Sequence, residues 1–188
     1  MKKIMFNDKY CLTRAVLNGT KTMTRRVLKE ATPLGNFEET EKHLPYKNGD
    51  IVAIAQSYKS IADERDEAET VLDLYKIGDN LLTMDEMGAG WTNKMFIKSD
   101  LMPHHIKITD VKVERLQDIS DDDIIREGVW QLHYANELFY VSQNIGYAPT
   151  VAFPSARLAF WYLIDSVSGK GTWERNPWVV AYSFELVD

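Results

Sequence analysis

Gly19-Thr20-Lys21-Thr22-Met23-Thr24-Arg25-Arg26 packs three cations and three hydroxyls into eight residues. A lysine serves as a base or a cation, a threonine as a nucleophile or a donor, and paired arginines hold phosphate or carboxylate. The stretch follows directly on a predicted short helix. Asn7-Asp8 caps that helix, which runs to about Asn18 with Leu12, Ala15 and Val16 on one face, and Gly19 stands where a C-cap glycine belongs.

Upstream, Lys3 to Phe6 is a short apolar strand candidate. Downstream, residues 30 to 48 read as irregular, punctuated by Pro33, Gly35, Pro45 and Asn48. Gly49-Asp50 then turns the chain into Ile51-Val52-Ala53-Ile54-Ala55, a near-continuous apolar run typical of a buried strand. The charge run Asp63 to Glu69 reads as a solvated face or loop. His105 to Leu116 reads as a long strand whose apolar phase shifts near Asp110, suggesting a bulge or bend. Ser120 caps a helix with Asp121, Asp122 and Asp123 in its first turn, where the helix dipole favours anions, and Gly128 ends it. Pro154 opens a longer helix to about Ser168. Leu158, Trp161 and Ile164 add to its core positions, so the sequence predicts a largely buried helix. Asn176-Pro177 turns into a closing strand, Trp178 to Val187. Strands separated in sequence, with helices at their junctions, predict an α+β fold on a small curved sheet or barrel, in a single domain over 1–188.

Composition sets limits on function. The 188 residues are 45% hydrophobic and 27% charged, ordinary for a globular chain with a substantial core. The formal net charge of −6 argues against wrapping long nucleic acid, and one local basic patch suits a small ligand or a short RNA feature better. No apolar run approaches a membrane span, and the basic start Met1-Lys2-Lys3 has no long apolar region behind it, so the expectation is a cytoplasmic protein without membrane contact. One cysteine, Cys11, excludes an internal disulfide and fits a reducing compartment. Placed in the predicted helix, it reads as a small core residue.

The motif Gly19-x-Lys21-Thr22-x-Thr24-x-Arg26 after a short helix, with Gly49-Asp50 opening a strand, resembles an ASCH domain, a relative of the PUA fold. Val113 to Ser120, an acidic helix ending in Glu127-Gly128, and Asn176-Pro177-Trp178-Val179 resemble the longer, phage-associated members. The resemblance implies a small PUA-like β-barrel with flanking helices, insertions at about 59–92 and 130–152, and a cleft beside the basic motif. Family members are linked to RNA, and some small ones hydrolyse N4-acetylcytidine to cytidine and acetate. Their catalytic Lys, Thr and Glu correspond here to Lys21, Thr24 and Glu127. Arg25 departs from the apolar residue of those enzymes.

On local grounds Glu127 stands at the unfavourable, negative end of its helix, a place for a proton carrier or for an exposed acid beside Arg126. Lys21 and Thr24 are three apart, so on a continuous strand they face opposite ways and converge only if the chain coils after Gly19. If they converge, Thr24 attacks an acyl carbon, Lys21 with a depressed pKa activates it, and Glu127 carries the proton to the leaving amine. Otherwise the cations face solvent and the threonines serve a strand. Thr22, Arg25, Arg26 and Trp178 are the ligand-binding candidates. Arg26 suits an anion anchor or a buried acid's partner, and Trp178 suits a stacked base or core packing. His104-His105 points to opposite faces, His43 and His133 lie in loops, and no cysteine cluster or His-Glu-x-x-His supports a metal site, so neither metal nor cofactor is expected. The functional readings are recognition of RNA or a modified nucleoside, amide hydrolysis of an N4-acylated cytidine, and a non-enzymatic phage interaction protein using the 59–90 segment.

Overall fold

A computed structural model describes residues 1–63, 76–77, 80–131, 138–143 and 151–187. In chain order the first elements are β1 (Lys3–Ile4), α1 (Leu12–Leu17), β2 (Met23–Val27), α2 (Phe37–Lys42), β3 (Ile51–Ile54) and α3 (Tyr58–Asp63). Next come β4 (Lys76–Ile77), β5 (Asn80–Leu81), α4 (Met84–Gly90), β6 (His105–Arg115), α5 (Asp121–Arg126) and β7 (Trp130–Gln131). The remainder is β8 (Phe139–Val141), β9 (Val151–Phe153), α6 (Ala156–Ser168), α7 (Thr172–Arg175) and β10 (Trp178–Leu186). The class is α+β. Five strands form one sheet in the order β1-β3-β6-β10-β2, with a three-stranded sheet β7-β8-β9 and a hairpin β4-β5. The expected barrel is corrected here: among the described residues β1 and β2 are unjoined edges, so the sheet is open. With only two residues, β1 offers too little backbone to close a ring. No helix among the described residues is long and apolar enough to cross a membrane.

The chain divides into two compact units, one from Met1–Phe6, Ile51–Ile106 and Leu186–Asp188, the other from Asn7–Asp50 and Lys107–Glu185. In the first, β1 runs parallel to β3, with Lys3 opposite Ala53 and Ile4 opposite Ile54. Ala53, Tyr58, Ile61, Leu82 and Ile97 make its core. Gly90 has to lack a side chain, because a Cβ there would lie 2.3 Å from the Tyr58 ring. Lys3 Nζ donates to the carbonyls of Met95 (2.9 Å) and Ile97 (3.0 Å), fastening the edge strand. Within the 59–92 insertion, Thr83 and Glu86 form a reciprocal capping box that starts α4. Of the acidic run, only Asp63 is among the described residues.

In the second unit β2 pairs antiparallel with β10, placing Thr24 opposite Tyr182 and Arg25 opposite Ala181. The burial phase along β6 shifts where the sequence predicts, with Ile106 and Ile108 buried, then Val111 and Glu114. The 130–152 insertion supplies β7, β8 and the start of β9, and α6 packs against β8, β9, α5 and α7. Ser155 Oγ accepts from the Leu158 amide and starts α6. Leu158 and Trp161 are over a third exposed, so α6 is amphipathic and not buried on all sides as expected. The predicted first helix is interrupted: Asp8–Tyr10 is a 3-10 turn, Cys11 follows with φ +54, and α1 begins only at Leu12. Cys11 is consequently half-exposed at a helix N-terminus and not a core residue. The segment expected to be irregular contains α2, started by Asn36, whose side chain accepts from the Glu39 amide at 2.8 Å.

Candidate functional site

The motif folds as a C-terminal turn followed by a strand. Gly19 takes φ +74, a left-handed conformation that releases the chain from α1. The Lys21 amide still donates to the Ala15 carbonyl, and the Thr22 amide donates to the Arg126 carbonyl, so the motif is clamped between α1 and α5 before β2 begins. Strand alternation then sorts the side chains: Met23 and Arg25 share one face, Thr24 and Arg26 the other.

Lys21 and Glu127 meet. Lys21 Nζ donates to Glu127 Oε2 (2.8 Å), the Glu127 carbonyl (2.7 Å) and the Met23 carbonyl (2.7 Å). An ammonium has three N–H bonds, and these three acceptors use all of them. The pair is almost wholly buried, Lys21 at 2% and Glu127 at 5% exposure, so the reading of Lys21 as a solvent-facing cation and of Glu127 as an exposed acid fails. Burial pulls the Lys21 pKa below its ordinary 10.5, with the Glu127 carboxylate working against that fall.

Arg25 joins the same cluster. Its Nε and Nη2 donate to Glu114 Oε1 (2.9 and 2.7 Å), Nη2 also to Asp123 Oδ2 (3.0 Å), and Nη1 to Glu127 Oε1 (3.2 Å). Burial disfavours the charged guanidinium, but Glu127, Glu114 and Asp123 outweigh it and hold the pKa above its ordinary value. Arg126 completes the group, donating to Asp123 Oδ1 (3.1 Å), Thr22 Oγ1 (3.2 Å) and Ser183 Oγ (3.0 Å). Lys112 pairs with Glu114 from the solvent side. Three buried or half-buried cations therefore face three acids. Arg25 is expected as a ligand contact, yet it serves as the hub of this cluster, because Glu114 from β6 reaches it across the sheet. Glu114 and Asp123 escaped the sequence reading. The only signal was an acid inside the β6 pattern, and alternation from Val111 does not turn it inward, although Glu114 is buried.

Thr24 and Arg26 lie on the other face of β2. Thr24 is buried opposite Tyr182, away from the side on which Arg25 meets Glu127. Near them Tyr46 and Tyr182 stack edge to face at 5.4 Å, and burial raises both phenol pKa values. Lys21, Thr24 and Glu127 are thus not brought to one face by the strand geometry. Trp178 is 36% exposed with the Arg115 guanidinium 4.7 Å over its ring, beside a small hollow lined by Leu28, Lys29 and Pro177.

A cavity of about 680 Å³ lies directly beside the motif. Thr20 and Gly128, the neighbours in sequence of Lys21 and Glu127, both line it. α1 contributes Arg14 and Ala15, and its flanking residues Cys11 and Asn18 also line the cavity. Trp130 also lines it, its ring stacked on Tyr140 at 4.6 Å and 20°, with Nε1 donating to Ser142 Oγ at 3.0 Å. Gly128 has φ +103, and a Cβ there would lie 3.1 Å from Leu12 Cδ2 and 3.6 Å from Lys21 Cδ. Gly128 is therefore the thin wall between the cavity and the buried lysine. The size and mixed apolar-polar lining suit a small organic ligand. The cavity and its aromatic wall come from pairing across β7 and β8, which short irregular segments of sequence do not announce. Searches against family models, curated proteins and solved structures find no match to this chain.

Proposed function

We propose that this chain is an ASCH-type, PUA-related protein that recognises RNA or a modified nucleoside in the cavity beside Lys21 to Arg26. The observation that carries this reading is the 680 Å³ cavity whose wall is formed by Thr20 and Gly128, immediately next to the Lys21–Glu127 pair. An aromatic wall with convergent polar groups favours a flat, hydrogen-bonding ligand over a lipid or a long peptide. In this reading the buried cluster of Lys21, Arg25, Glu114, Asp123 and Glu127 anchors α5 to β2 and β6, and so holds the cavity in shape.

A second reading is amide hydrolysis of an N4-acylated cytidine, adding water to give the free amine and the carboxylic acid. It is favoured by one observation, the lowered pKa of Lys21 in hydrogen-bond contact with Glu127, an arrangement suited to moving a proton. The placement of Thr24 on the opposite face of β2 weighs against its acting as nucleophile. Incubation with N4-acetylcytidine, with cytidine followed by chromatography, separates the readings. Turnover that vanishes in Lys21→Ala and survives in Thr24→Val supports hydrolysis by the Lys21–Glu127 pair. Binding of nucleosides or short RNA without turnover supports recognition alone. Absence of both refutes the cavity as a nucleoside site.

A further inference from the structure

The cavity lining carries one formal charge among the described residues, the guanidinium of Arg14. Arg14 lines the cavity from α1, is exposed, and enters no ion pair or side-chain hydrogen bond among the described residues. This contrasts with Arg25 and Arg126, both held by acids. A cation in the cavity of a chain with net charge −6 has an electrostatic reason to meet an anion, since no carboxylate among the described lining residues competes for it. Also in the lining is Trp130: Tyr140 covers one face of its indole, and the Ser142 hydroxyl fixes its edge. The indole remains 36% exposed. An oriented, part-exposed ring in the cavity lining gives a planar ligand a stacking surface that needs no ordering on binding.

We propose that the cavity selects a nucleoside carrying a phosphate, the base laid on Trp130 and the phosphate paired with Arg14. The assignment rests on the reading of the cavity as a nucleoside site and adds to it an anionic requirement and two residues outside the basic motif. The phosphate belongs to a free 5′-monophosphate or to the end of an RNA strand, and both present the same dianion and base.

Calorimetric titration of the full chain tests this with cytidine, uridine, adenosine and guanosine, their 5′-monophosphates, inorganic phosphate, and a short RNA with or without a 5′-phosphate. At least one monophosphate should bind about tenfold tighter than its nucleoside, the worth of one charge-assisted contact. Arg14→Ala should erase that difference. Trp130→Leu should weaken nucleoside and monophosphate alike. Equal binding of nucleoside and monophosphate by the unaltered protein overturns the Arg14 assignment and leaves the nucleoside cavity standing. A tenfold difference that persists in Arg14→Ala also overturns it. Inorganic phosphate binding as tightly as any nucleotide overturns the base-stacking half. Failure of every nucleoside, nucleotide and RNA to bind removes the proposed function itself, and this inference with it. A 5′-phosphate effect seen with RNA and not with monophosphates assigns the ligand to strand ends. Arg14 is exposed, so its alanine variant should fold normally, and a circular dichroism melt verifies this.

Discussion

Replacing Glu127 by alanine should be among the most damaging single changes in the second unit. The carboxylate accepts from Lys21 Nζ at 2.8 Å and from Arg25 Nη1 at 3.2 Å. Arg25 retains Glu114 and Asp123 after the change, so it remains compensated. Lys21 retains the Met23 and Glu127 carbonyls but loses the Glu127 carboxylate while 2% exposed. Breaking a buried ion pair by removing one partner costs about 3–5 kcal/mol. Against a urea dependence of about 2 kcal/mol per molar, that is a midpoint lower by roughly 1.5–2.5 M. Chemical denaturation at pH 7, followed by tryptophan fluorescence, measures it. Lys21→Met combined with Glu127→Gln should lose less than the sum of the two single variants, by about 1–3 kcal/mol, because the orphaned charge is gone. The pH dependence has a definite sign. The folded-state pKa of Lys21 is lowered, so between that value and 10.5 the unfolded chain binds more protons and stability rises with pH. In Lys21→Met that rise should disappear. A Glu127→Ala variant within about 1 kcal/mol of the parent, the worth of an exposed pair, would refute the reasoning.

Gly128→Ala should lower stability by about 1–2 kcal/mol, because φ +103 disfavours any side chain and the new methyl meets Leu12 at 3.1 Å; a melting temperature equal to the parent's would contradict this. Ser155→Ala removes the acceptor for the Leu158 amide and should cost about 1 kcal/mol in the same assay, with Ser155→Asp restoring it. Asp165 takes the Gly171 (2.9 Å) and Trp173 (2.8 Å) amides; desolvation pushes its pKa up, but these bonds and the Trp161 indole outweigh it and hold it below 3.8. The stability it contributes is present above that ordinary value and fades as pH falls through the lowered one. Asp165→Ala should therefore show a flatter acid limb in melting temperature against pH.

Local rules made much of the second unit legible. Ser120 caps α5 through the Asp123 amide, Gly128 ends that helix region with φ +103, and the long strands β6 and β10 lie close to their expected bounds. These features depend on neighbours within a few residues. The miss at Cys11 has the opposite cause: apolar periodicity around Leu12 and Val16 is real, but the 3-10 turn before it breaks the helix axis, which a spacing count does not register. At the site, Lys21 meets Glu127 across 106 residues, a distance that no spacing rule reaches, whereas alternation within β2 puts Thr24 on the face away from Arg25. The hub role of Arg25 depends on Glu114, 89 residues away, and a sequence pattern holds no distance between such positions.

That separation in the chain has a kinetic side. Lys21 and Glu127 are 106 residues apart, and Arg25 stands 89 from Glu114. Each charge is fully hydrated until the intervening chain is in place, and closing loops of that length is entropically unfavourable until other contacts have formed. Stripping water from six charged groups consequently belongs to the last steps of folding, after the transition state. Contacts made that late leave the folding rate nearly untouched and act on the unfolding rate. Substitutions in the cluster should shorten the lifetime of the native protein while the time it takes to fold stays the same.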